Sequence, residues 1–218
     1  MEYFEILKNI ELFSGIDGRD LPALLGCLSA KRAHYEKGGI VFLAGERIRS
    51  FGIVLSGQVQ IYQEDYYGNR SILGHVGPGG LFAESFACAE AKELPVSVQA
   101  SAESELLFID CTRLASPCAN ACSFHASLIR NLLNTIAKKN IALTQKIEFT
   151  AKRTTQEKLL AYLSAEARRA KSSRFEIPFN RQELADYLAV DRSAMSAELG
   201  KLRDDGVLNF SKNRFELL

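Results

Sequence analysis

Several signatures are missing from this 218-residue chain, and each absence removes a class of function. No apolar run approaches the ~18 residues of a membrane-spanning helix. The opening MEYFEILKN is acidic and amphipathic without a signal-peptide core, so the chain is expected in the cytoplasm, away from membranes. The three histidines are scattered, with no His-x-His pair. A cupin-like metal enzyme built on His34, His75, His125 and Glu84 would need histidines paired on one strand, so that reading is weak. A P-loop is absent, as is a Ser-His-Asp order with a nucleophile elbow. The expectation is a non-enzyme with no metal and no cofactor. Net charge is scarce too, at +1 overall. Residues 1–145 hold 13 Lys+Arg against 15 Asp+Glu, whereas residues 146–218 hold 14 against 11. The C-terminal third is therefore the basic part, and if it contacts phosphate the bias is so mild that affinity would have to be shared over a dimer rather than come from one module.

What is present is most informative between Arg181 and Leu202. Asn180 with Glu183 three residues on makes a capping-box pattern that starts a helix, and Leu184, Ala185 and Leu188 give that helix a buried stripe. Ala189, Val190 and Asp191 form a turn with Asp191 as the next cap. In the second helix Met195, Leu199 and Leu202 face inward, and Gly206 is its stop. The outward face then carries Arg192, Ser193, Ser196, Ala197, Gly200 and Lys201. A generic surface helix would carry long charged side chains there; small and hydroxyl residues instead let a helix sit deep in a DNA groove. Val207 to Phe210, a polar Ser211-Lys212-Asn213 and Arg214 to Leu217 read as a hairpin, so the helix-turn-helix is expected to be winged.

Upstream the texture changes. From Gly38 to Asp110 short apolar segments recur between turn residues: Ile40–Leu43, Phe51–Leu55, Val59–Tyr62, Ser71–Val76, Val96–Gln99 and Leu106–Ile109. This spacing suggests a small β-barrel or double-sheet roll. Leu21, Leu24, Leu25 and Leu28 mark a short helix before it. A long helix is expected over about Asn120 to Phe149, where Ile129, Ile136 and Leu143 recur every seven residues and Leu132, Leu133 and Ile147 fill the second seam position. Such a seam predicts a parallel homodimer, with Asn140 close enough to fix register; the alternative is that the stripe packs on its own barrel. Thr154-Thr155 interrupts the pattern and is a candidate hinge. The fold class is thus α+β, divided at 1–119 (β-roll), 120–153 (dimerisation helix and hinge) and 154–218 (winged helix-turn-helix).

Leu55-Ser56-Gly57-Gln58-Val59, the later Gly80-Leu81-Phe82-Ala83-Glu84, Lys158 to Leu163 and Asn180 to Leu202 occur in the order and spacing of the Crp/Fnr superfamily of bacterial transcription regulators, which the chain resembles over essentially its full length. The resemblance implies a jelly-roll sensor of the cyclic-nucleotide-binding type, a dimer, and recognition helices whose placement responds to an effector. It implies double-stranded DNA with a palindromic operator as partner, and RNA polymerase as well if the protein activates. The effector would lie among Gly80, Phe82, Glu84, Leu94, Pro95, Val96 and the Thr144-Gln145 region, where the family binds its ligand.

The chain departs from its relatives at the points that decide chemistry. Cyclic-nucleotide-binding members follow the Gly-Glu segment, ten residues after the Glu, with an Arg that pairs with the cyclic phosphate; here Leu94-Pro95-Val96 stands in its place. Without that charge-assisted contact, cAMP or cGMP is not the expected effector. Lys92 is a point charge two residues away from the required position. Glu84 is then either a polar contact in a repurposed pocket or a residue bonding the turn around Gly79-Gly80. Iron-sulfur members need an N-terminal cysteine cluster, and this chain has only Cys27 there. Haem members place ligands where this chain has Ala83, Glu84 and Ser85. Cys111, Cys118 and Cys122 remain, with Cys88 elsewhere: three thiols at helical spacing would bind a metal or form a redox pair, or be buried as small hydrophobes. In the recognition helix the family's base-reading Glu and Arg are replaced by Ser193 and Ala197, so the target sequence should differ. Arg192 and Ser196 are the remaining base readers, with Arg181, Gln182 and Lys201 as phosphate contacts. An adaptor whose helix-turn-helix packs only on protein is the rival reading.

Overall fold

The computed structural model describes residues 2–115 and 123–218. The chain divides into two compact units, residues 1–137 and 138–218, with the boundary inside one long helix.

The first unit opens with helix α1 (Glu2–Lys8), a 3-10 turn at Glu11–Phe13 and helix α2 (Leu21–Cys27). Eight strands follow: β1 (Lys31–Tyr35), β2 (Ile40–Phe42), β3 (Ser50–Ser56), β4 (Val59–Glu64), β5 (Arg70–Val76), β6 (Leu81–Phe82), β7 (Ser97–Ala100) and β8 (Ser104–Asp110), with helix α3 (Glu84–Cys88) between β6 and β7. They form two four-stranded sheets, ordered β1-β8-β3-β6 and β2-β7-β4-β5, whose pairings are all antiparallel. This is the expected double-sheet roll. The six apolar runs fall on strands, while β1 and β6 carried no recognised signal: β1 is largely exposed and β6 has two residues.

Strand β3 explains how the roll is anchored. Phe51, Ile53 and Leu55 alternate as expected and pack with Leu7, Phe13, Leu24 and Leu28 of the N-terminal helical layer. Val54, on the other face, joins Val59, Phe82, Val98 and Leu106 inside the roll. Both faces are therefore covered, which is why the strand reads as a nearly continuous apolar run. Two glycines make the crossing possible. Gly57 turns β3 into β4 at φ +79°, and a Cβ there would overlap the Glu103 carbonyl oxygen. Gly52 lies under the Phe82 ring, so a Cβ there would run into it.

Helix α4 (Cys111–Ala115) ends the roll, and helix α5 (Ser123–Thr150) follows. Asn120, the expected start of the long helix, lies outside the described residues, as do Cys118 and Cys122. In the first unit Leu128 and Leu132 are buried with the core of the roll, and Asn131 Nδ2 donates to the carbonyls of Leu12 and Ser14 at 2.9 and 2.8 Å. Leu132 thus faces its own unit, and Ile136 packs partly against the same core. Ile129 and Leu133 are 38% and 63% exposed.

The second unit begins with the rest of α5, where Asn140 is exposed, Leu143 and Ile147 are 60% and 65% exposed, and Phe149 is buried. Helix α6 (Thr155–Ala170) starts at a complete capping box: Thr154 Oγ1 accepts from the Glu157 amide, and Glu157 accepts from the Thr154 amide. Strand β9 (Arg174–Glu176), helices α7 (Arg181–Leu188) and α8 (Arg192–Asp204), and strands β10 (Leu208–Ser211) and β11 (Arg214–Leu217) complete it. The sheet order is β10-β11-β9, so the wing hairpin gains a third strand that the sequence reading had not distinguished. Leu159, Tyr162, Leu163, Leu184, Leu188, Met195, Leu199 and Leu202 close one core under the three helices.

Candidate functional site

The two helices of the motif are built as their residues require. Asn180 and Glu183 exchange hydrogen bonds of 3.0 and 2.7 Å with each other's backbone amides, completing the capping box at α7. Ala189 ends α7 in the left-handed region at φ 51°, and the Lys158 ammonium donates to its carbonyl at 3.2 Å. A cation at a helix C-terminus also meets the negative end of the helix dipole. Asp191 caps α8 by accepting from the Ala194 amide at 2.8 Å. The inward set of Met195, Leu199 and Leu202 is buried, and Arg192, Ser193, Ser196, Ala197 and Lys201 are exposed together along α8, with Gly200 half-buried.

Two of these hydroxyls are already engaged. Ser193 Oγ donates to Asp191 at 2.5 Å and Ser196 Oγ donates to the Arg192 carbonyl at 2.9 Å, which leaves their lone pairs as acceptors toward a ligand. Arg181 sits differently from a free phosphate contact. Its guanidinium lies 4.8 Å from the centre of the Phe210 ring and 5.1 Å from that of Phe215, and burial lowers its pKa. Gln182 is exposed, with its amide donating to Asp186 at 2.9 Å. Lys212, at φ 52° in the wing turn, is exposed beside Asn213; the sequence identified the turn but gave this cation no role. Lys212, Asn213, Asn180 and Arg181 line a hollow of about 470 Å³ between the wing turn and the start of α7.

In the first unit the candidate effector residues lie at β6, at the start of α3 and just before β7. Gly80 is held by Val54, whose amide donates to its carbonyl at 3.1 Å. Phe82 is buried inside the roll, and Leu94 and Val96 are buried in the core on the helical side. Pro95 is exposed. Glu84 opens α3 after Ala83, which adopts φ 62°, and is 4% exposed. Thr144 is exposed and Gln145 half-buried in the second unit, where Gln145 accepts from Arg169 at 3.4 Å.

A cavity of about 340 Å³ lies beyond this segment, walled by Ala87, Cys88 and Glu90, by Cys111, Thr112 and Leu114, and by Ile129, Leu132, Leu133 and Ile136. None of the eight candidate effector residues lines it. Sequence spacing had set Cys88 apart from Cys111, yet their sulfurs are 2.9 Å apart. Fold, not spacing, brings them together, because α3 and α4 are neighbours though 23 residues separate the two cysteines. His125 is buried in α5 with both ring nitrogens unpaired, His34 bonds Glu105 on the surface and His75 is exposed on β5. Among the described residues no group of three His, Cys, Asp or Glu side chains is placed to hold a metal.

Residues 32–120 match the family model of the cyclic nucleotide-binding domain, and residues 157–218 match that of the Crp-like helix-turn-helix domain. The chain belongs to the Crp/Fnr superfamily of transcription regulators. It is thus a DNA-binding regulator that carries an effector-binding domain. No curated protein matches the sequence. Among solved structures, the c-di-GMP responsive global regulator CLP of Xanthomonas campestris is similar at 22% identity and a TM-score of 0.56, over 92% of this chain and 99% of that one. The catabolite activator protein of Thermus thermophilus is similar at 21% identity and a TM-score of 0.51, over 95% and 93%. DNR of Pseudomonas aeruginosa is similar at 23% identity and 0.50, over 98% and 92%. At these identities the likeness is one of fold. No helix among the described residues is long and apolar enough to cross a membrane.

Within this Crp/Fnr chain the departures noted in the sequence acquire positions. Leu94, the position to which the resemblance assigned the phosphate-pairing Arg of cyclic-nucleotide-binding members, is buried with its amide donating to the Glu46 carbonyl at 2.8 Å. Ser193 and Ala197, the positions to which the resemblance assigned the base readers, are on the exposed face of α8.

Proposed function

We propose that this protein is a homodimeric, cytoplasmic regulator that reads a palindromic operator with α8 and whose DNA binding is governed by an effector other than cAMP or cGMP. The observation that carries the reading is the exposed face of α8. Arg192 stands at its start, Ser193, Ser196 and Ala197 add no bulk, and Lys201 lies about two and a half turns on, so the helix can enter a major groove with one cation toward base edges and another toward phosphate. Arg181, stacked on the wing aromatics, and Gln182 would support the backbone contacts, with Lys212 added from the wing turn.

The dimer would form along α5 through Ile129, Leu143 and Ile147 with Leu133, the residues that stay exposed, while Leu132 and much of Ile136 serve the roll. Exclusion of cyclic nucleotides rests on charge: a buried leucine stands where the phosphate would need a cation. RNA polymerase would be a second protein partner if the regulator activates.

Selection of duplex DNA from a random pool by the purified protein, with and without added small effectors, tests the reading. Enrichment of a palindrome with half-sites about one helical turn apart is expected. Failure to enrich any sequence under every condition would transfer the helix-turn-helix to a protein partner.

A further inference from the structure

Cys88 ends α3 and Cys111 opens α4, and their sulfurs approach to 2.9 Å, close enough for one thiol to donate to the other. The two differ in surroundings. Cys88 is exposed, while Cys111 is buried among the core residues of the roll. Both line the cavity of about 340 Å³ between α3, α4 and α5. The bond between the two thiols pulls Cys88 below its ordinary range, and the same bond, together with burial, pushes the Cys111 thiol up. An accessible thiol biased toward thiolate beside a shielded partner is the division of labour of an attacking and a resolving cysteine.

We propose that Cys88 and Cys111 form a redox-active dithiol, oxidised to an intramolecular disulfide by hydroperoxides with Cys88 as the attacking residue. The Cys88 thiolate attacks one peroxide oxygen, the O–O bond breaks, and hydroxide leaves with the proton released by Cys88 as water. The resulting Cys88 sulfenic acid is attacked by the Cys111 sulfur; the S–S bond forms, the S–O bond breaks, and a second water leaves with the Cys111 proton. Two thiols and one hydrogen peroxide thus give one disulfide and two waters. The sulfurs need to close by roughly 0.9 Å to reach the ~2.05 Å of the bond. The product staples α3, directly after the Gly80-to-Glu84 segment, to the end of β8. The chemistry stands independently of the DNA reading and of any effector.

The test uses the reduced full-length protein, exposed to hydrogen peroxide after removal of reductant, alkylated, digested without reduction and analysed by mass spectrometry. A peptide pair joining Cys88 to Cys111, released by dithiothreitol, is expected. In Cys111→Ser the sulfenic acid should accumulate on Cys88 and be captured by dimedone, whereas in Cys88→Ser the Cys111 thiol should remain unmodified. The wild-type linkage map requires no variant to fold. Joining of Cys111 to Cys118 or Cys122 instead of Cys88, or an unmodified Cys88 in wild-type protein at peroxide levels that oxidise a free thiol peptide, would overturn the proposal.

Discussion

The carboxylate of Asp191 accepts a hydrogen bond from the backbone N–H of Ala194 at 2.8 Å. It also holds the Ser193 hydroxyl, so one side chain both starts α8 and orients a residue on its exposed face. These bonds, the Ser193 hydroxyl first and the Ala194 amide second, hold the Asp191 carboxyl below the usual aspartate range. Asp191→Ala should therefore lower the thermal midpoint at pH 7 and weaken DNA binding. Because the folded-state pKa is depressed, the cap's contribution is complete above the unfolded value near ~3.9 and is lost as pH falls through the lower folded value. Melting curves followed by circular dichroism from neutral to strongly acidic pH should show the variant and wild type converging only in acid. Equal midpoints at pH 7 would remove the cap from any account of α8.

Arg192 and Lys201 occupy opposite ends of the exposed face and should fail differently. Arg192→Ala is expected to change the ranking of operator sequences, by about 1–3 kcal/mol at the base pair it reads. Lys201→Ala should weaken all sequences alike and reduce the slope of log affinity against log salt by about one unit. Fluorescence anisotropy with a panel of operators at several salt concentrations separates the two. Uniform loss in both variants would show that Arg192 contacts phosphate.

Gly52 has no room for a side chain under Phe82. Gly52→Ala should destabilise the sensor unit by about 1–3 kcal/mol, and the cost should shrink when Phe82→Leu is made in the same chain. A double-mutant cycle by urea unfolding reads this directly. Strict additivity would mean the clash is relieved elsewhere.

Leu143 and Ile147 are more than half exposed, so glutamate at either position disturbs no core. Leu143→Glu combined with Ile147→Glu is expected to leave thermal stability measured on the monomer unchanged while converting dimers to monomers in light scattering. A dimer that persists at micromolar concentration would place the interface elsewhere.

The roll was legible because alternation and turn residues mark half-buried strands, and β3 stood out because both of its faces are covered. β1 escaped because its side chains are mostly exposed, and β6 because two residues carry no period. The wing hairpin was visible in its polar turn. Its third strand was not, because Arg174-Phe175-Glu176 is too short to show alternation.

Local chemistry wrote the caps, the turn and the inward and outward faces of α7 and α8 into the sequence, since each depends on residues within four positions of one another. Family, and with it the general function, followed from such segments in order. Tertiary structure alone decided which apolar residues of α5 serve the roll and which remain exposed, because a helical stripe does not say what covers it. It alone placed Phe82 inside the roll and Leu94 in the core on the helical side. It alone set Cys88 beside Cys111, since a contact between residues so far apart in sequence is made by the packing of whole elements and leaves no trace in local spacing.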